Sequence, residues 1–259
     1  MLIAGYSVWA VLLICAGVFA ASFVDAIGGG GGLISLPIYL FVGLPTHYAL
    51  GTNKLSSSLG TIASTVRYIK KGYVNWLLAI PSVALAITGS HFGTKLQLTV
   101  NEQYLRYVLI FVLIGVAAVM LKKRELPEVP GAIAPWKQRV IVWSAALVIG
   151  MYDGFYGPGT GTFLLIAFCK LAKMDVRTAS GNVKIVNLSS NLSALATSLT
   201  AGKVLVPIGL IAAAFAFAGQ YLGAGMMIKN GSRIVTPVIL VVLSLLFIKI
   251  VLEIFGISL

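Results

Sequence analysis

Apolar residues run in long blocks along the chain, separated by short polar clusters. Blocks near the twenty or so residues that a membrane-crossing helix needs fall at 7–24, 49–69, 74–92, 103–121, 139–152, 178–199, 204–227 and 234–255. These predict full-length helices. Two further blocks, 33–42 and 162–171, are about half as long, and each follows a glycine-rich break: GGGGG at 28–32 and GFYGPGTG at 154–161. Positions 7 to 42 cover 36 residues. As one helix they would measure about 54 Å, against a hydrocarbon core of roughly 30 Å. The chain must therefore break at the glycines, as a re-entrant hairpin or as two spans about a tight turn, and return to the side it came from.

The pattern occurs twice. Asp25 aligns with Asp153, Gly29 with Gly157 and Gly31 with Gly159 at an offset of 128. Ala49 with Ala179, Gly51 with Gly181, Lys54 with Lys184, Gly89 with Gly219 and Gly93 with Gly223 follow at an offset of 130. The expectation is two homologous halves, 1–121 and 137–259, joined by a linker at 122–136. Each half holds one hairpin and three full spans. An odd number of crossings makes the second half enter from the opposite side, so the repeats are inverted, an arrangement common in secondary transporters. Of the 19 lysines and arginines, 13 fall on the linker's side and four, Lys95, Arg106, Lys203 and Lys249, on the other; Lys54 and Lys184 lie inside spans. The excess of basic residues on the cytoplasmic face places the linker in the cytoplasm and both termini outside.

Composition narrows the class. Of 259 residues, 59% are hydrophobic and 10% charged, against about 25% charged in a soluble domain. The mean hydropathy is +0.99. A soluble globule, a nucleic-acid-binding domain and a disordered chain are excluded, despite the net charge of +12. Cys15 and Cys169 sit within apolar blocks and read as small buried residues, not as a disulfide or a metal site. The N-terminal block lacks a basic n-region and reads as a retained helix. No Walker loop, H-E-x-x-H or G-x-S-x-G occurs, so the chain reads as neither an ATP-driven pump nor an enzyme, and it needs no cofactor.

Candidate chemistry lies in the spans. A lysine within the membrane is costly and is usually retained for a pathway or a partner; Lys54 and Lys184 recur in both halves. Asn53, Asn182, Asn187, Asn191 and neighbouring serines can donate to an oxyanion, or can bond neighbouring helices. The glycine breaks free backbone N–H groups at helix starts, where an anion is favoured. Gly30, Gly31, Gly32, Gly159, Thr160 and Gly161 are therefore candidate ligands. Asp25 and Asp153 can carry protons, pair with the lysines or cap the broken helices. His47 and His91 have no metal-ligand spacing. Gly-x-x-x-Gly at 89–93 and 219–223 permits tight helix contact, within one chain or across a homodimer.

The glycine run followed by LISLP, the GTNKLSSSLG segment, GFYGPGTGTFLL and ASGNVKIVNLSSN together resemble the sulfite exporter TauE/SafE family. The similarity covers nearly the whole chain. It implies an all-α, polytopic permease of a bacterial or archaeal inner membrane that transports sulfur-containing anions such as sulfite, sulfoacetate or other organosulfonates. The family pattern carries over to Gly28, Gly29, Gly30, Gly31, Gly32, Asn53, Lys54, Gly157, Pro158, Gly159, Gly161, Asn182 and Lys184. On this reading Lys54 and Lys184 balance the charge of a small anion, the partners are that anion and the bilayer, and the two halves rock to alternate access. The membrane potential, about 2.3 kcal/mol per charge per 100 mV, could drive export without coupling. Uptake would need protons carried by Asp25 or Asp153. An anion channel is the rival from another class.

Overall fold

The computed structural model describes residues 2–105 and 126–231, together with 233, 234 and 237. The expected spans at 103–121 and 234–255 lie almost wholly outside the described residues.

Helix α1, Val8–Gly28, starts at Ser7, whose hydroxyl accepts the Ala10 amide at 3.2 Å, a standard N-cap. It stops where Gly29 and Gly30 turn to φ +75 and +86, a conformation that costs other residues about 1–2 kcal/mol. Helix α2, Gly32–Phe41, folds back along α1. Helix α3, Thr46–Lys70, and helix α4, Trp76–Thr99, follow. After the linker come α5, Pro135–Phe155, and α6, Thr160–Ile166, which runs on as a π turn over Ala167–Leu171. Between α5 and α6, Gly157 and Gly159 take φ +97 and +88. Helix α7, Val176–Thr200, is capped by Asp175, which accepts the Arg177 and Thr178 amides at 3.1 and 3.0 Å. Helix α8, Val206–Asn230, completes the described helices of substantial length. The fold is all-α, as expected, apart from a two-residue antiparallel ladder, β1 (Leu2–Ile3) with β2 (Tyr6–Ser7), ahead of α1.

Lengths resolve the hairpin question. Helix α2 has 10 residues, or about 15 Å, half the hydrocarbon thickness. Helix α6 with its π turn is nearly as short. Each hairpin therefore has one long and one half-length arm, and the second arm is too short to cross. The long elements come in matched sizes, with 21 residues in both α1 and α5 and 25 in both α3 and α7.

The bundle is apolar outside and holds two apolar clusters inside, with a set of polar side chains buried between its central helices. Helices α3 and α7 pack on each other at its centre, with α8 and α1 flanking one side and α4 and α5 the other. Thr52, Ser56, Ser58 and Ser64 of α3 and Ser190 of α7 are buried. Leu77, Ile80 and Phe92 of α4 and Leu210, Phe217 and Leu222 of α8 point outward. This is the polarity a bilayer demands. Among the described residues, α1, α4 and α8 are long and apolar enough to cross a membrane. Helices α3 and α7, with 25 residues each, are as long as α8 but carry too many hydroxyls and amides to qualify by composition; their neighbours shield them from lipid.

Contacts gather the helix ends into two sets. At one end Thr46 donates to Glu102 and His47 meets Gln97, while Lys203 lies over the Tyr48 ring. At the other, Arg177 pairs with Glu128 at 2.7 Å and reaches the Ile228 carbonyl, Gly131 binds the Lys173 carbonyl, and Arg67 lies over Tyr221. The Gly-x-x-x-Gly pairs are used within the chain. A Cβ on Gly89 or Gly93 would strike the Leu147 or Met151 carbonyl of α5, and on Gly219 or Gly223 the Phe19 or Phe23 carbonyl of α1. These glycines carry no argument for a homodimer.

Candidate functional site

Lys54 and Lys184 each lie on the third turn of a central helix and are 5% and 2% exposed. A lysine so buried needs a close counter-charge and further hydrogen bonds. Both have them, and in each case the partner aspartate belongs to the other half of the chain. Lys54 Nζ is 2.9 Å from Asp153 Oδ2 and 2.9 Å from Asn191 Oδ1. Lys184 Nζ is 2.8 Å from Asp25 Oδ2 and 2.7 Å from the Asp25 carbonyl. Of the roles the sequence raised for the aspartates, pairing with lysine is present in both pairs, and Asp25 also accepts the Gly31 amide at the start of α2.

Further donors hold each carboxylate. Asp25 accepts from Gln220 Nε2 at 2.8 Å and from the Gly31 amide at 3.3 Å. Asp153 accepts from Ser190 Oγ at 2.7 Å, and the Ser190 carbonyl in turn accepts from Ser90 Oγ at 2.6 Å. The broken helices bring the aspartates here because Asp25 and Asp153 sit in the last turns of α1 and α5, just before the glycines.

The two breaks touch. A Cβ on Gly29 would fall on the Thr162 amide, and one on Gly161 would lie 2.9 Å from Gly29 Cα. Thr162 Oγ1 donates to the Gly28 carbonyl at 2.9 Å. Absence of a Cβ is what lets the two backbones cross. Gly157 leaves room in the same way for the ion pair, since a Cβ there would meet Lys54 Nζ at 3.1 Å.

A cavity of about 40 Å³ opens beside this crossing, lined by Asp25, Asn53, Lys54, Asp153, Asn187 and Asn191 with the backbones of both breaks. A smaller recess of about 10 Å³ lies against Gly28, Gly29, Ser180 and Lys184, with Asp25 and Gly161 again in its wall. Of the residues singled out in the sequence, Asp25, Gly31, Gly32, Asn53, Lys54, Asp153, Gly159, Thr160 and Gly161 line the larger space, and Lys184 lines the smaller. Gly30 forms the turn itself. Asn182 is not brought to either cavity: its Nδ2 donates to the Thr178 carbonyl at 2.8 Å on its own helix. Asn53 is already engaged as an acceptor from Ser35 Oγ at 2.8 Å. Gln220 and Ser35 are the additions. Gln220 is legible in hindsight as a lone amide in the apolar run AFAGQYLGAG.

The larger space holds roughly three waters by the usual measure, so it fits a small ion or the head of a longer one. It is walled by one cation, Lys54, two carboxylates and several amides; with Lys184 behind Asp25, the four charged groups of the site sum to zero when all are ionised.

Comparison with known proteins supplies the family. The family model described as "Sulfite exporter TauE/SafE" matches residues 13–250. A probable membrane transporter protein, ORF9, of Sinorhizobium sp is 33% identical over 86% of this chain and 85% of its own. A probable membrane transporter protein of Haemophilus influenzae is 32% identical over 89% of each. The probable membrane transporter protein YfcA of Escherichia coli is 29% identical over 91% of this chain and 87% of its own. No solved structure matches. With nearly the whole length matched, the chain belongs to the TauE/SafE sulfite exporter family.

Proposed function

We propose that this membrane transporter is a secondary carrier that exports a small sulfur oxyanion, sulfite or an organosulfonate, across the inner membrane. The observation that carries this reading is the pair of reciprocal lysine–aspartate contacts around a small polar cavity where two broken helices cross. The anion sits in that cavity against Lys54, Asn53, Asn191 and the bare backbone of Gly32 and Gly161 at the starts of α2 and α6.

Residues 1–121 and 137–259 act as inverted repeats about the linker at 122–136, with both termini outside. The matched helix lengths and the swapped partners support that symmetry. Rocking of one repeat against the other exposes the site alternately. The backbones at Gly29 and Gly161 touch where both cavities meet the site, and so close-packed a crossing favours a carrier over an open pore. The family membership and the transporter names of the relatives support transport, and the family's name supports sulfite as the kind of cargo.

The test is flux in proteoliposomes with sulfite and a series of sulfonates. Saturable flux that chloride does not compete away supports the reading. Resolvable single-channel current, or no flux of any sulfur anion, overturns it.

A further inference from the structure

Of the four charged side chains in the site, Asp25 alone lines both cavities; Lys54 and Asp153 line the larger and Lys184 the smaller. Its side chain is also the more open carboxylate, 15% exposed against 3% for Asp153. Every element packed on it presents an identified group. Lys184 comes from α7, the Gln220 amide from α8, the Gly31 N–H from α2 and the bare backbone of Gly161 from α6. Lys54 of α3 and Asp153 of α5 face it across the larger cavity.

Charge decides what this arrangement can transport. Two lysines and two aspartates sum to zero. An anion entering a space only a few ångströms across would stand beside the Asp25 carboxylate, and like charges repel strongly where water is scarce. One proton on Asp25 removes that repulsion and returns the loaded site to zero. Resting on the anion-transport reading above, we infer that Asp25 is the proton carrier and that one proton accompanies each monoanion of cargo. The proton enters from the bulk solution by way of the larger cavity. Asp25 becomes a neutral carboxylic acid, Lys184 stays an ammonium, and its uncompensated charge offsets the anion. After the site has switched, the proton leaves Asp25 through the recess on the other side of the crossing.

Gln220 suits this cycle. Its Nε2 donates to the ionised carboxylate, while its Oε1 is buried without a partner among the described residues. Rotation of the amide lets Oε1 accept a hydrogen bond from the protonated acid. The same side chain thus serves both states. For a monoanion the loaded and empty carriers are both neutral, so transport is electroneutral: it answers to the anion's own gradient and to the pH gradient, not to the membrane potential, and export runs down the gradient of an anion that accumulates inside.

The experiment uses the full chain in proteoliposomes with labelled methanesulfonate, a monoanion at every working pH, and with sulfite. A gradient of one pH unit, acid on the side of the labelled anion, is expected to sustain about tenfold accumulation of methanesulfonate, and a potassium–valinomycin potential none. In Asp25→Asn, accumulation driven by pH is lost, anion–anion counterflow falls far less, and sensitivity to potential emerges because the empty site now carries a positive charge. Asp25→Glu restores the pH response. Wild-type flux that follows the potential and ignores pH would overturn the proton inference alone. Absence of flux for both anions would overturn the transport reading beneath it.

Discussion

Lys184 grips Asp25 twice, through its carboxylate at 2.8 Å and its main-chain carbonyl at 2.7 Å, although 159 residues separate the two. This one side chain ties the end of α1 to the centre of α7. Removing it strands a buried carboxylate, and stranding one member of a buried pair costs about 3–5 kcal/mol. Lys184→Ala is therefore expected to lower the thermal unfolding temperature in detergent markedly. Lys184→Met with Asp25→Asn should recover most of that loss and still fail to transport. Equal instability of the single and double variants would count against the pairing as the cause.

Gly29 and Gly72 both take φ +75, yet their surroundings differ. A Cβ on Gly29 collides with the Thr162 amide, whereas one on Gly72 meets open space. Gly72→Ala should cost only the backbone conformation, about 1–2 kcal/mol. Gly29→Ala should cost more and abolish flux, because α1 and α6 can no longer cross. Comparison of the two variants by thermal unfolding and by transport separates close approach from backbone strain.

Gly93 packs against the backbone of α5, with Met151 and Phe155 beneath it. Gly93→Val should separate α4 from α5 and lower stability by several kcal/mol, in the range of core overpacking or worse. Because the contact lies within one chain, the variant's oligomeric state on size exclusion should match that of the wild type.

The two cavities differ in size, so their walls should differ in reactivity. Asn53→Cys, in the larger one, is expected to react with a small water-soluble thiol reagent faster than Ser180→Cys in the smaller. Cys15 and Cys169, 3% and 1% exposed, should give little background. A reversal of the order would mean that the populated state in solution opens the other way.

The helices and their breaks were legible in the sequence because hydrophobic length and glycine runs act locally. The expected block at 49–69 is Thr46–Lys70, and the one at 178–199 is Val176–Thr200. The recurrence of Lys54 and Lys184 also pointed to the site. What the sequence could not convey is which aspartate each lysine meets. Offsets of 128 and 130 relate Asp25 to Asp153 and Lys54 to Lys184, but the exchange of partners between halves depends on how the hairpins cross. Asn182 looked like Asn53 in its segment. One helical turn is enough to aim it at the Thr178 carbonyl, away from both cavities. The β1–β2 ladder escaped notice because two-residue strands leave no alternation to read.

The exchanged ion pairs also set a timetable for biogenesis. Asp25 and Lys54 leave the ribosome long before Lys184 and Asp153 exist. At about 5–20 residues per second, the 159 residues from Asp25 to Lys184 take on the order of 10–30 s to synthesise. Until Asp153 and then Lys184 emerge, the first half holds Asp25 and Lys54 without their partners, and the hydroxyl-rich α3 has no α7 to cover it. The nascent helices must wait in a sheltered, hydrated setting such as an insertase groove. Neither half expressed alone should remain stably inserted, whereas the two halves co-expressed as separate chains should rescue each other.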